Sequence, residues 1–390
     1  MTEPTGSWFA LNVVNGLAGG SVVGVIAKRT YRVVGGVCWV ADAQLPLMEA
    51  PSTTEDNLVL LHDMDTALQR RQVDVIVHGR AHAGTPRSSF ELRLRVGKLD
   101  RAIRVFGERA CSLSTVGKPL FSSPTHVESV DLGWQNAYGG VDRVALAKHG
   151  DRLEQHYREA KLTYQAEFGA FAYPRNRAGK GYLIEATAEA LAACQLPNLE
   201  EPGDLLTPER LIIGHTERWP LGPAVAGVGF LNYNCFPRCA MLALTPPFDS
   251  KHIAPMDFFE VRMKVLKRES IAESMPIQQR LDLGCAQQSA IGMRMEHVAP
   301  GERVEFTHVH PRGERWSFAL PNEYPSLLLK LPDQATTELQ PKIRTLVFEP
   351  ELDRLSVVWV GEHAEPTPVG PGKQAQTRCA VRWNGSTGSA

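Results

Sequence analysis

The 390-residue chain has almost no charge imbalance, with 42 lysines and arginines against 43 aspartates and glutamates. Without a basic surplus or stripe it offers no footing for a phosphate backbone, so nucleic acid is not an expected partner. It also lacks any apolar run near the roughly 20 residues that a membrane-crossing helix needs. The opening Met1-Thr-Glu-Pro-Thr-Gly-Ser-Trp-Phe9 has no basic start followed by an apolar stretch. A secretory leader is therefore not expected, and the cytoplasm is the default compartment. The seven cysteines are odd in number and scattered over the whole length. That pattern fits reduced thiols rather than a disulfide framework.

Catalytic signatures are equally scarce. Gly16-Leu-Ala-Gly-Gly-Ser21 lacks the lysine of a phosphate-binding loop, and Gly227-Val-Gly229 has neither a third glycine nor a following helix. Ser112, Ser114, Ser122 and Ser123 sit in no Gly-x-Ser-x-Gly elbow. Cys235 and Cys239, even with His215 or His252, depart from the paired knuckles of structural zinc and read as two buried thiols. No nucleotide, metal or other cofactor is expected.

What the chain does have is strand-forming sequence. Val22–Val34, Val73–His78, Phe90–Val96 and Ala102–Phe106 are β-branched or alternating, with glycine and proline between them. Phe90, Leu92, Leu94 and Val96 share one face while Glu91, Arg93 and Arg95 share the other, the pattern of a half-buried antiparallel strand. Later strands are predicted over 290–295, 303–310, 316–320, 327–331, 344–348, 356–360 and 378–383. Asp151–Gln165 and the alanine-rich Ile184–Cys194 read as short helices. The expected fold is mainly β, an antiparallel sandwich or open barrel with a few short inserted helices. Domains are read as 1–232, with a helical insertion at about 148–195, and 233–384, followed by a disordered tail at 385–390. The boundary near 233–250 is soft, and the two parts are also compatible with one body.

His308-Val-His310-Pro-Arg-Gly-Glu314 is the strongest enzyme-like signal. Histidines two apart on a strand point to one face, and Glu314 would complete a cupin-type metal site. The second cupin motif is missing after Val360, and Pro321 falls near the expected closing glycine of the first. The alternative is a pair of imidazoles hydrogen-bonded beside Phe306.

Four loop segments are built from turn-formers and aromatics: Phe106-Gly-Glu-Arg109, Leu132-Gly-Trp-Gln-Asn-Ala-Tyr-Gly-Gly140, Tyr173-Pro-Arg-Asn-Arg-Ala-Gly-Lys-Gly-Tyr182 and Gln195-Leu-Pro-Asn-Leu-Glu-Glu-Pro202. Such chemistry makes shape. Glu200 or Glu201 is expected to clamp a loop crossing, through backbone amides or an arginine such as Arg175 or Arg177. Trp134, Tyr138, Tyr173, Asn176, Lys180, Tyr182 and Trp219 are the candidate partner-binding residues, because recognition concentrates on loops carried by rigid scaffolds. A carbohydrate-binding β-sandwich would use the same aromatics as sugar platforms.

The order of these segments resembles the type VI secretion effector-delivery adaptors, the DUF2169 family. The resemblance runs through Lys28-Arg-Thr-Tyr31, Val73-Asp-Val-Ile-Val-His-Gly79, Val105-Phe-Gly-Glu-Arg109, Trp134–Gly140, Asn176–Gly181, Leu196-Pro-Asn-Leu-Glu200, Phe318-Ala-Leu-Pro321, Arg344-Thr-Leu346 and Leu355–Trp359. Tyr138 stands where the family usually has Phe. Residues 233–285 match poorly, with only Pro246-Pro-Phe-Asp249 similar to the family's aspartate-rich and aromatic stretch. The resemblance implies a cytoplasmic, non-enzymatic adaptor or chaperone. It would bind a secreted effector and assist its loading onto the spike, near a PAAR-like tip or a spike trimer protein.

Overall fold

Alternation and β-branching do become strands. Trp8–Asn15 (β1) and the fourteen-residue Ser21–Val34 (β2) pair antiparallel, and Val37–Val40 (β3) returns along the far end of β2. The computed structural model describes residues 8–15, 20–55, 59–68, 70, 72–159, 171–173, 176–212, 222–231, 288–290 and 292–385. A seven-stranded sheet runs in the order β1, β2, Arg354–Glu365, Lys342–Glu349, Val73–Val77 and Arg294–Met295, with β3 paired beside β1 on β2. Its pairs are antiparallel except that Lys342–Glu349 runs parallel to Val73–Val77. A five-stranded antiparallel sheet orders Leu199–Glu200, Leu99–Phe106, Ser89–Val96, Arg303–His310 and Gly313–Ala319.

The main core lies between these two sheets. Val75, Leu346, Phe348 and Val357 of one meet Leu92, Leu94, Ile103 and Phe306 of the other. The alternation read in Phe90–Val96 is therefore the inner face of a sandwich. A three-stranded sheet of Thr337–Leu339, Glu323–Lys330 and Arg378–Gly385 covers the first half of β2, where Val23, Val25 and Ala27 pack on Leu327, Leu329 and Leu339. One face of β2 thus serves two cores. Both sheets of the sandwich also take strands from either side of the soft boundary near 233–250. The residues of that boundary lie outside those described, as do 386–390 of the tail.

Two local expectations shift. The helix expected over 151–165 is Arg143–Glu159, because Asp142 begins it: its Oδ1 accepts from Ala145 N at 2.9 Å and its carbonyl from Leu146 N at 3.0 Å. The second helix is Ala188–Ala193, capped by the Thr187 hydroxyl accepting from Ala190 N. The strand expected over 290–295 contracts to Arg294–Met295, since Met293 N turns back to the Ala290 carbonyl. Among the described residues no helix is long and apolar enough to cross a membrane.

Candidate functional site

The four loop segments converge at one end of the sandwich. Phe106 closes its strand by donating its N–H to the Asn198 carbonyl, and Asn198 Nδ2 returns a bond to the Phe106 carbonyl at 3.0 Å. Gly107 follows because a Cβ there would stand 1.9 Å from the Thr125 carbonyl oxygen. Arg109 then reaches Glu200 and the Pro197 carbonyl, with its guanidinium 4.3 Å from the centre of the Phe106 ring. Glu200 also accepts from Leu206 N at 2.6 Å. Burial pushes its carboxyl pKa up, against the opposing pull of Arg109 and the Leu206 amide.

The clamp expected at Glu200 and Glu201 therefore exists, with different arginines. Glu200 holds Arg109 and Glu201 holds Arg101. Arg175 lies outside the described residues. The partners are supplied by strand pairing: Leu199 and Glu200 pair with Val105 and Arg104, which draws this loop beside the end of the Leu99–Phe106 strand.

Asn176 ties the second and third segments together. Its Nδ2 donates to the carbonyls of Trp134 at 2.7 Å and Tyr138 at 3.1 Å, while its own carbonyl accepts from Gly140 N at 2.7 Å. Tyr138–Gly139 and Lys180–Gly181 run parallel alongside. Gly139 has φ +145°, and a Cβ there would lie 2.0 Å from the Asn176 carbonyl oxygen. The Trp134 indole donates to the Phe230 carbonyl at 2.7 Å and its ring covers Gly227. Gly227-Val-Gly229 accordingly serves as a seat for an aromatic ring.

The aromatics expected as surface anchors are mostly inside. Trp134 belongs to the main core, and Tyr138, Tyr173 and Tyr182 form a second core with Leu191, Leu196, Leu206 and Leu211. The rings of Tyr138 and Tyr173 stand 5.0 Å apart, edge to face. Burial raises the Tyr138 and Tyr182 hydroxyl pKa values. Asn176 is fully buried; Lys180 is half-buried, with Nζ 3.6 Å from Glu108, and desolvation lowers its pKa against the pull of that carboxylate. Trp219 lies outside the described residues, as do His215, Cys235, Cys239 and His252. Loop density was a sound signal for a shaped framework and a poor one for exposure, because aromatics in tight turns fill the space beneath the turns.

The early motif follows the same rule. Lys28 Nζ meets Asp65 at 2.7 Å and the Pro46 carbonyl at 3.0 Å. Arg29 holds Glu323 at 2.9 Å and lies 3.6 Å from the centre of the Trp383 ring. Thr30 exchanges backbone bonds with the Gln44 amide, and the Tyr31 hydroxyl donates to Glu323. Every side chain of Lys28-Arg-Thr-Tyr31 is buried.

His308 and His310 do not converge. His308 has φ +63°, at an irregularity in the strand where register with Gly313–Ala319 shifts between Thr307 and His310. That interruption breaks the alternation expected to place both rings on one face. His308 Nδ1 donates to the His82 carbonyl at 2.8 Å, and its Nε2 lies 3.2 Å from Glu314. His310 accepts from Arg312 N at Nδ1 and donates from Nε2 to Asp353 at 2.9 Å. Among the described residues no three His, Cys, Asp or Glu side chains are grouped to hold a metal ion.

An open cavity of about 840 Å³ is lined by Arg70, His297, Tyr324, Lys342, Arg344 and Trp359 among others. None of the described residues of the four loop segments is among those that line it. What those segments do support is a hairpin that the sequence reading passed over. Cys111–Leu113 pairs with Pro119–Phe121, and its inner residues pack on the second core. Leu113, Val116 and Leu120 stay exposed, Val116 at 77%. Gly117, with φ +75°, was the available signal of a tight turn between two short apolar runs.

No curated protein and no solved structure is detectably similar to the chain. A family model does match, over residues 18–360, which takes in the sandwich and the motif segments together. The chain therefore belongs to the family described as "Uncharacterized protein conserved in bacteria (DUF2169)".

Proposed function

We propose that this chain is a non-enzymatic adaptor of a type VI secretion system, binding a secreted effector and assisting its loading onto the spike beside a PAAR-like tip or spike trimer protein. The observation that carries the reading is how the motif residues are used. Arg109, Asn176 and Glu200 hold the frame together from within, while the hairpin on that frame turns Leu113, Val116 and Leu120 to solvent. Exposed apolar side chains on a rigid support suit a protein partner. The occupant proposed for the hairpin is the effector, whose apolar surface it would cover until docking. Such a role is carried out in the cytoplasm and requires no cofactor.

The test is co-purification of the tagged chain with the products of its neighbouring genes. An effector and a spike-tip protein are expected in the eluate, and Val116→Asp with Leu120→Asp is expected to reduce effector capture at least tenfold while circular dichroism stays unchanged. Failure of both partners to co-purify with the intact chain would overturn the adaptor reading. Unchanged capture by the double variant would remove the hairpin from it.

A further inference from the structure

β1 ends the seven-stranded sheet, and among the described residues no strand pairs with its outer edge. Backbone parity fixes which groups that edge presents. The Thr30 carbonyl accepts from Ala41 N, on the side of β2 that carries β3 and β1, so even-numbered residues of β2 direct their backbone groups there. The register Trp8↔Lys28, Ala10↔Ile26, Asn12↔Gly24 then commits the even-numbered residues of β1 to β2. Phe9, Leu11 and Val13 direct their N–H and C=O groups outward. In agreement, Val13 N donates to the side chain of adjacent Asn12 at 2.8 Å.

Open edges are normally blocked by charge, proline or irregularity. The edge strand Gly313–Ala319 carries Glu314 and Arg315, and Arg378–Gly385 carries Arg378 and Arg382. β1, with the sequence Trp-Phe-Ala-Leu-Asn-Val-Val-Asn, carries neither charge nor proline and pairs with β2 without a bulge along its whole length. Trp8 and Phe9 are 48% and 40% exposed at its start.

We propose that β1 pairs antiparallel with β1 of a second copy of this chain, about a twofold axis normal to the sheet. Directly opposed residues in a sheet share a face, and the outward groups belong to odd-numbered residues, so odd residues oppose odd ones; of those registers, the one with its axis between the two copies of Leu11 sets both exposed aromatics against valines. Leu11 then faces Leu11 of the other copy, Phe9 faces Val13, and Trp8 faces Val14. The opposed Phe9, Leu11 and Val13 can exchange about six backbone hydrogen bonds, two of them formed as each Val13 N–H leaves the Asn12 side chain for the Phe9 carbonyl of the other copy. Each exposed aromatic gains a β-branched neighbour across the seam, a favourable cross-strand pair. A second copy is the occupant that this edge fits because the strand is neutral along its length, so self-pairing opposes no like charges. The same register serves both copies.

Sedimentation velocity on the full chain tests the pairing, with a species of twice the 43.0 kDa chain mass expected. Phe9→Pro removes an outward N–H that no bond among the described residues uses, so it is expected to yield monomer with unchanged circular dichroism. Ala10 and Asn12 are opposed at a closely spaced, non-hydrogen-bonded pair, where Cα atoms approach to about 4.5 Å. Mixing Ala10→Cys protein with Asn12→Cys protein under mild oxidation is expected to give covalent dimer several-fold faster than either alone. A monomer at every concentration would overturn the proposal. So would a dimer that survives Phe9→Pro, or cross-linking no faster in the mixture.

Discussion

The side-chain amide of Asn176 donates to the backbone carbonyl of Trp134 across 42 positions of sequence, at 2.7 Å. The same nitrogen reaches the Tyr138 carbonyl, so one planar group fixes both ends of the Trp134–Tyr138 turn. Both acceptors are held in a region closed to water, where an unanswered carbonyl costs about 1–3 kcal/mol. Asn176→Ala is expected to lower unfolding free energy by about 2–4 kcal/mol. Asn176→Asp should cost more at neutral pH, because it sets a carboxylate against two carbonyl oxygens, and the difference should narrow as the carboxyl protonates. Urea unfolding of the three proteins across pH checks both statements.

Glycines with positive φ divide by what surrounds them, as Gly139 beside this turn and Gly84 in the strand Arg80–Arg87 show. Gly139 and Gly84 both have positive φ, +145° and +77°, but a Cβ at Gly139 would strike the Asn176 carbonyl at 2.0 Å while one at Gly84 meets nothing within 4 Å. Gly84→Ala is expected to cost about 1–2 kcal/mol, the backbone strain alone. Gly139→Ala adds a backbone collision, and a cost of about 4 kcal/mol or failure to fold is expected. Parallel denaturation of the two variants separates the contributions; equal costs would contradict the packing described.

Much of the sandwich was legible because alternation reports a face directly: Leu92 and Leu94 could hardly point anywhere but into a core. The turn glycines were legible for a similar reason, since Gly139-Gly140 and Gly179-Lys-Gly181 specify backbone shape locally. Partners at long range were not. Nothing near Glu200 in sequence names Arg109, which lies 91 positions away and arrives through the pairing of Leu199 with Val105. Period-two reasoning failed at His308 because an irregular register there interrupts the alternation. The exposure of the tyrosines was misjudged for a third reason: loop composition describes the backbone path and is silent about which side of it faces solvent.

Arg109 and Glu200 form a buried ion pair, and removal of one member strands the other. Arg109→Ala is expected to destabilise by about 3–5 kcal/mol, since a buried carboxylate loses its counter-charge. Arg109→Met combined with Glu200→Leu should cost less than the sum of the single changes, with a coupling of about 1–3 kcal/mol. A double-mutant cycle in urea measures it. Additivity would show that the pair contributes no joint term.

His78 gives the fold a pH dependence of calculable sign. Its Nε2 is buried and its ring centre lies 5.5 Å from that of Phe230, the planes tilted by 40°, with Phe230 itself deep in the core. Burial lowers its pKa from 6.5 to about 4, against smaller opposing pulls from Glu349 and Asp131. An unfolded chain binds a proton there near pH 6.5, so between that pH and 4 the unfolded state holds more protons than the folded one. Stability from this group is therefore complete above pH 6.5 and declines as the pH falls toward 4. His62, whose ring centre lies 4.8 Å from that of Phe230, is lowered by burial too and adds in the same direction. His78→Gln is expected to flatten the stability profile between pH 6.5 and 4 while leaving its acid limb, set by the carboxylates, in place. Thermal melts at half-unit pH steps on both proteins check this. An unchanged slope in the variant would mean that the imidazole is not desolvated as its packing against Phe230 requires.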